Sequence, residues 1–387
     1  MYKKGGHMKK SKLLSSTFVY FVAMLVLIVF YMIIDNVDLS YMSSQDKDIF
    51  TTLVIQVGII LLIPLVLYTF VRKQSLKHTL RDFNFSKISF KTVIYSFVIG
   101  IACYFINILV ASFFSNIIAL FGYESIPSYA TSSGKITLEQ LFINLVLVAV
   151  IPAICEEVAH RGLLLGGMSR LGLKRAVLLS SLLFGLLHLN INQFFYATVL
   201  GFLMAIAVIM SNSIYPAMII HFCNNGISVY MTYARQEGLF GSEILSTFNN
   251  FLTGSNAFTA FIGSFAILTC LVGIVVLFYI LLLKENRIKK MSNLISHISS
   301  MDVSKATQEK LSKINPRVNP FSNTYMQNLE SLNMMYKEYN ITNPQELIFK
   351  KEESEYHKPT LLEIVFLVGS IVLAAIVTIF TFVWGIL

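Results

Sequence analysis

Charge is what this chain has least of. Only 13% of its residues are Asp, Glu, Lys or Arg, against 55% hydrophobic, and mean hydropathy is +0.68. A soluble domain of 387 residues has no way to cover that much apolar surface, so a soluble class is excluded and a polytopic membrane protein is indicated. Cysteine is scarce too. Cys103, Cys155, Cys223 and Cys270 all fall inside apolar runs and none stands in a Cys-x-x-Cys spacing. That placement excludes a disulfide framework and a structural zinc finger, and reads as four buried thiols. His-Glu-x-x-His, Gly-x-Ser-x-Gly and Gly-x-Gly-Asp are missing, which removes the zincin helix, the serine elbow and the aspartyl signature from the hydrolase classes open to it.

The positive excess, 30 Lys and Arg against 21 Asp and Glu, sits mostly between apolar runs. Such a distribution sets orientation in a bilayer, and no nucleic-acid partner is expected. Nine runs approach the ~20 apolar residues that a bilayer requires. They are Leu14 to Ile34, a second ending near Arg72, Val93 to Phe121, Leu138 to Met168, Ala176 to Leu189, Phe194 to Met210, Ile214 to Tyr233, Ala257 to Leu283 and Leu361 to Leu387. The first has no cleavage pattern after it and is expected to remain as an anchor. Asp35 to Phe50 holds four Asp against one Lys, whereas Arg72 to Lys91 is strongly basic. The N-terminus and the basic links are therefore expected in the cytoplasm, with the protein in a bacterial plasma membrane.

The expected fold is all-α and polytopic, in five parts: a two-helix membrane region at 1–91, an intramembrane core at 92–234, an eighth span at 235–284, a polar cytoplasmic segment at 285–359 and a last span at 360–387. Ile288, Met291, Leu294, Ile295 and Ile298 share one helical face beside Lys289 and Lys290, which predicts a basic amphipathic helix on the membrane surface. Asn315-Pro316, Asn319-Pro320 and Asn343-Pro344 mark turns in the remainder, which holds few aromatic or branched residues for a core.

Within the fourth run stand Glu156, Glu157 and Arg161. Ionisable side chains at membrane depth are costly, so they face the protein interior and serve a function. Glu157 and Arg161 are four apart with the acid first, the favoured order for an ion pair. Glu156 points about 100° away from that pair. Glu157 and Arg161 therefore read as a structural pair and Glu156 as the carboxylate kept for chemistry.

Three histidines, His160, His188 and His221, also lie in or beside apolar runs. Phe184 precedes His188 by one turn and can pack beneath its ring. His221 and Asn225 share a face and can together donate to one oxygen. Counted from the expected cytoplasmic ends of their spans, near Met168, Ala176 and Ile214, Glu156, His188 and His221 lie at depths that let them meet in one cavity, which is expected to open toward the cytoplasm. Such a set suits hydrolysis of an unreactive acyl bond by a deprotonated water with neutral donors at the oxyanion. Zn²⁺ is a second route, with Glu156, His188 and His221 as three ligands and an open fourth position. The residues alone leave both routes open. His160 reads as a partner of nearby charges or headgroups, and Cys155 and Cys223 as core thiols beside the site.

Glu-Glu-x-x-x-Arg at Glu156 to Arg161, Phe-x-x-x-His at Phe184 to His188 and His-x-x-x-Asn at His221 to Asn225 follow one another on successive spans. In that order they resemble the CAAX protease and bacteriocin-processing family of intramembrane endopeptidases, which includes the Ras-converting enzyme and the Abi proteins. The resemblance implies an all-helical core that cleaves peptide bonds beside membrane lipid, with a peptide or protein as substrate. It implies Glu156 as the water-activating base, supported by Glu157 and Arg161, His188 at the same water, and His221 with Asn225 at the oxyanion or a metal. It leaves His160 and Asn224 without a role. A membrane scaffold or bacteriocin-immunity protein that binds a partner is the non-enzymatic rival. A proton-coupled transporter is disfavoured, because no repeated halves are visible. Prenylated proteins, leader-bearing peptides and membrane-anchored precursors are all candidate substrates.

Overall fold

The computed structural model describes residues 11–34, 36–123, 136–254, 256–301, 303–339 and 358–384. The regular structure among them is helical, with no strand. Seven helices are long and apolar enough to cross a membrane. These are α1 (Lys12–Ile34), α2 (Ser44–Arg72), α4 (Phe90–Ala119), α5 (Leu138–Leu171), α7 (Ile191–Ser211), α10 (Ala257–Ser299) and α13 (Leu361–Trp384). Between them lie α3 (Leu76–Asp82), α6 (Leu173–Leu187), α8 (Tyr215–Glu237) and α9 (Ser242–Gly254). Of the nine expected spans, the two that do not meet the criterion are α6 and α8, and they carry His188 and the His221–Asn225 pair. One is only 15 residues long; the other is interrupted by Asn224, Asn225 and Thr232. One helix thus falls short by length and the other by the polar residues it carries.

α4 is the central post. It packs against α7, α8 and α10, while α6 lies along α7 and α1 runs beside α2 and α13. α8 approaches α4 closely because Gly100 has no side chain: a Cβ there would sit 2.5 Å from Cys223 Cβ and 3.2 Å from Ile220 Cα. Gly100→Leu is accordingly expected to push away the helix that carries His221. Overpacking of this kind costs about 1–3 kcal/mol. A lowered unfolding temperature in detergent checks this, and wild-type stability would contradict it.

The polar segment departs from expectation. α10 does not end with its apolar run near Leu283 but continues as one 43-residue helix to Ser299. The face holding Met291, Leu294 and Ile298 is covered by α11 (Lys305–Ser312) and α12 (Asn323–Glu338), which supply Leu311, Tyr325, Leu332, Met335 and Tyr336 to a small separate core. The amphipathic stripe is therefore buried in protein and does not lie on lipid headgroups. Asn315 and Asn319 form the expected turns, their side chains accepting from the backbone N–H of Arg317 and Phe321. Asn343-Pro344 lies outside the described residues. Cys270 is also not the buried thiol expected. It is exposed on α10, whereas Cys103, Cys155 and Cys223 are buried, and all four are free.

Candidate active site

The site begins with irregularities in two helices. α2 is π-helical from Leu53 to Leu62, and α5 is π-helical from Leu145 to Val150 and again from Val158 to Leu165. Wide turns of this kind are rare and recur at functional sites. Glu156 and Glu157 stand between the two wide stretches of α5, just after Pro152. Proline has no N–H to offer the Val148 carbonyl one turn earlier. Asn225 Nδ2 donates to that carbonyl at 2.9 Å and ties α8 to α5 at this point.

Glu157 and Arg161 are fully buried and form the expected ion pair, Nε to Oε2 at 3.1 Å. Arg161 Nη2 donates to the Gly201 carbonyl at 3.0 Å, and its guanidinium lies 4.4 Å above the Phe184 ring. The other oxygen of Glu157, Oε1, is 3.0 Å from His221 Nδ1. An ionised carboxylate only accepts, so Nδ1 carries a hydrogen, and in a neutral ring Nε2 is then the acceptor. Nδ1 of His221 is therefore taken by Glu157, and Nε2 is the ring nitrogen on the side of Glu156.

Glu156 has a different set of neighbours. Gln56 Nε2 donates to Oε1 at 2.8 Å, and the buried Oε2 has no hydrogen-bond partner. Oε2 lies 4.0 Å from His221 Nε2. That is too long for a direct hydrogen bond and leaves room for one water molecule to touch both acceptors.

His188 stands at the end of α6 with Nδ1 held by the Phe184 carbonyl at 3.0 Å, which leaves Nε2 for chemistry. Phe184 does pack against His188, and it also meets His160 and His221 edge-on, with ring centroids 5.1–5.6 Å apart. His160 is wholly buried and does not reach headgroups. Its Nδ1 is 2.8 Å from the Glu156 carbonyl and its Nε2 3.0 Å from Tyr20 Oη, so both ring nitrogens are occupied.

A cavity of about 550 Å³ joins these groups. Glu156, His188, His221, Asn224 and Asn225 line it, and Glu157 and Arg161 stand behind. Asn224, which the motifs leave free, takes part in a row of amides: Asn107 Nδ2 donates to Asn224 Oδ1 at 2.7 Å, and Asn224 Nδ2 to Asn225 Oδ1 at 2.9 Å. The cavity extends toward one end of the bundle. Its lining includes Tyr31, Thr51 and Gln193, which lie toward the end of the bundle where α1 passes into α2. The basic links, 72–91 and 169–175, are at the opposite end.

Sequence reasoning missed Tyr20, Gln56 and Asn107. The available signal was a lone polar side chain inside an apolar run, but nothing in its spacing ties it to a partner helix. Gln56→Ala is expected to lower kcat with little change in KM, because Gln56 fixes the orientation of Glu156 and leaves Oε2 as the one free acceptor. An unchanged kcat, or a loss confined to KM, would remove that role.

The expected zinc set does not fit this arrangement. Two ligands of tetrahedral zinc stand roughly 3.3 Å apart, given bonds of about 2.0–2.1 Å, whereas Glu156 Oε2 and His221 Nε2 are 4.0 Å apart. Among the described residues no group of three His, Cys, Asp or Glu side chains is arranged to hold a metal ion.

Residues 138–227 match the family described as type II CAAX prenyl endopeptidase Rce1-like. The resemblance drawn from the three motifs, to CAAX proteases, is thus matched over this stretch of the chain, and the long apolar helices support an integral membrane protein. No curated protein and no solved structure matches the chain. The matched stretch contains all seven motif residues from Glu156 to Asn225, and leaves Tyr20, Gln56 and Asn107 outside it.

Proposed function

We propose that the chain is an intramembrane endopeptidase in which Glu156 and His221 share one water. The observation that supports this is the 4.0 Å separation of two acceptors, Glu156 Oε2 and His221 Nε2, at the wall of a cavity. A water donating one hydrogen to each turns a lone pair toward the cavity. As its oxygen attacks the substrate carbonyl carbon, Glu156 takes the proton, and the carbonyl oxygen becomes an oxyanion. Asn224 uses one amide hydrogen on Asn225 and Asn225 one on the Val148 carbonyl, and each keeps a second to offer that oxyanion. Collapse of the tetrahedral intermediate breaks the C–N bond, and the proton held by Glu156 passes to the leaving amine. His188, at the same cavity, orients the substrate beside this water. Glu157 and Arg161 act through His221 by fixing its tautomer and ring direction.

In this reading the bundle spans the membrane nine times, with α6 and α8 as the two polar spans, the N-terminus cytoplasmic and residues 92–234 forming the catalytic core. The test is cleavage of a peptide library by the full chain in lipid, with and without a strong chelator. Cleavage that survives the chelator is expected. Cleavage that stops with it and returns with Zn²⁺ would contradict the metal-free route, and an absence of cleavage across a wide library would count against the enzyme.

A further inference from the structure

The row of three amides in the cavity wall has a direction, and one end sets it. The Val148 carbonyl only accepts, so the group that Asn225 turns toward it, at 2.9 Å, is the Nδ2 amide. Asn225 Oδ1 then faces Asn224 and takes its Nδ2 at 2.9 Å, and Asn224 Oδ1 takes Asn107 Nδ2 at 2.7 Å. The row therefore ends on α4 with an oxygen, Asn107 Oδ1. Asn107 is buried at the cavity wall, and this oxygen has no hydrogen-bond partner among the described residues. Turning the Asn107 amide over brings no relief, because it sets two acceptors, the Oδ1 atoms of Asn107 and Asn224, against each other. A buried amide oxygen is costly to leave unpaired, so one at the wall of a cavity marks the place of a ligand's donor.

An extended peptide carries such a donor in a fixed place. The N–H and C=O of one residue in an extended chain point to the same side, which is why two opposed antiparallel residues exchange both bonds. On the endopeptidase reading, on which this inference rests, the attacked carbonyl oxygen lies against the spare hydrogens of Asn224 and Asn225. The N–H of the residue that owns that carbonyl then points to the same wall, where Asn107 is the next amide in the row.

We propose that Asn107 is a substrate-binding residue, whose Oδ1 accepts the backbone N–H of the residue that supplies the scissile carbonyl, so that α4 aligns an extended peptide by its main chain. The full chain carrying Glu156→Gln is immobilised in lipid nanodiscs and exposed to a library of capped hexapeptides, and those retained are identified by mass. Each backbone N–H of a retained peptide is then replaced in turn by an ester oxygen, and Kd is measured with Asn107 present and with Asn107→Ala added. The expected result is one position at which the ester weakens binding about tenfold with Asn107 and less than about twofold with Asn107→Ala. Asn107→Leu, close to asparagine in size, serves if the alanine variant does not fold. Equal losses with and without Asn107 at every position, or no peptide retained, would overturn the proposal. Binding needs no turnover, so the cleavage reading is tested separately on the wild-type chain. A cut at the carbonyl of the ester-sensitive residue is expected. A cut elsewhere would remove Asn107 from this place and leave the protease standing, whereas Asn107-dependent binding without any cut would support the N–H contact and count against the protease.

Discussion

Glu156→Gln is expected to lower cleavage by about 10²–10⁴-fold, the range that a positioned general base supplies, while the protein remains folded. The structure accounts for both halves of that expectation. Oε1 of Glu156 is already an acceptor for Gln56 Nε2 at 2.8 Å, and the carbonyl oxygen of a glutamine can take the same bond. The amide nitrogen then occupies the place of Oε2, which has no protein partner, so no bond within the protein is lost. What disappears is the acceptor that faces His221 Nε2 across 4.0 Å. An amide nitrogen there donates where a base must accept, so a water can still bind but cannot lose its proton. Cleavage within threefold of wild type would show that the base lies elsewhere.

Arg161→Ala is expected to produce the largest loss of stability. Glu157 and Arg161 are both fully buried, and Glu157 would remain as a buried acid without its cation. Breaking a buried pair in this way costs about 3–5 kcal/mol, a large part of what holds a typical domain together. The damage spreads, because the guanidinium also holds the Gly201 carbonyl and covers Phe184, the ring that meets three histidines. Poor recovery in detergent and an unfolding temperature many degrees below wild type are the measurements. Glu157→Gln with Arg161→Met, which removes both charges, should recover part of the stability but not the cleavage, since His221 loses the carboxylate at Nδ1. A single Arg161→Ala protein as stable as wild type would show that the pair is not structural.

Much of this site was legible in the sequence, because helical spacing is short-range information. Residues four apart meet on one face, so the Glu157–Arg161 pair and the Phe184–His188 contact could be written down directly. The meeting of Glu156, His188 and His221 followed from counting depth along neighbouring spans. The count was made from one end only, and depth says that side chains are level, not which way the space beside them leads. Gln56, Asn107 and Tyr20 were not legible, since each reaches the site from a distant helix and has no partner at a fixed spacing. The partner that holds His221 was not legible for a related reason. A histidine's donor and acceptor nitrogens are set by what holds the other side of the ring, and the holder here, Glu157, lies 64 residues away. The stripe at Met291, Leu294 and Ile298 was read correctly as apolar, but a pattern alone does not distinguish a lipid surface from the protein's own α11 and α12.

The central claim is that an acid on α5 and an imidazole on α8 hold a single water between them. An experimental structure of the full chain in lipid, at a resolution that shows ordered water, tests it most directly. The account predicts one water within about 2.6–3.2 Å of both Glu156 Oε2 and His221 Nε2, with Gln56 still on Oε1. Density for a metal ion bonded to those two atoms, or a direct contact that closes the gap between them, would contradict it.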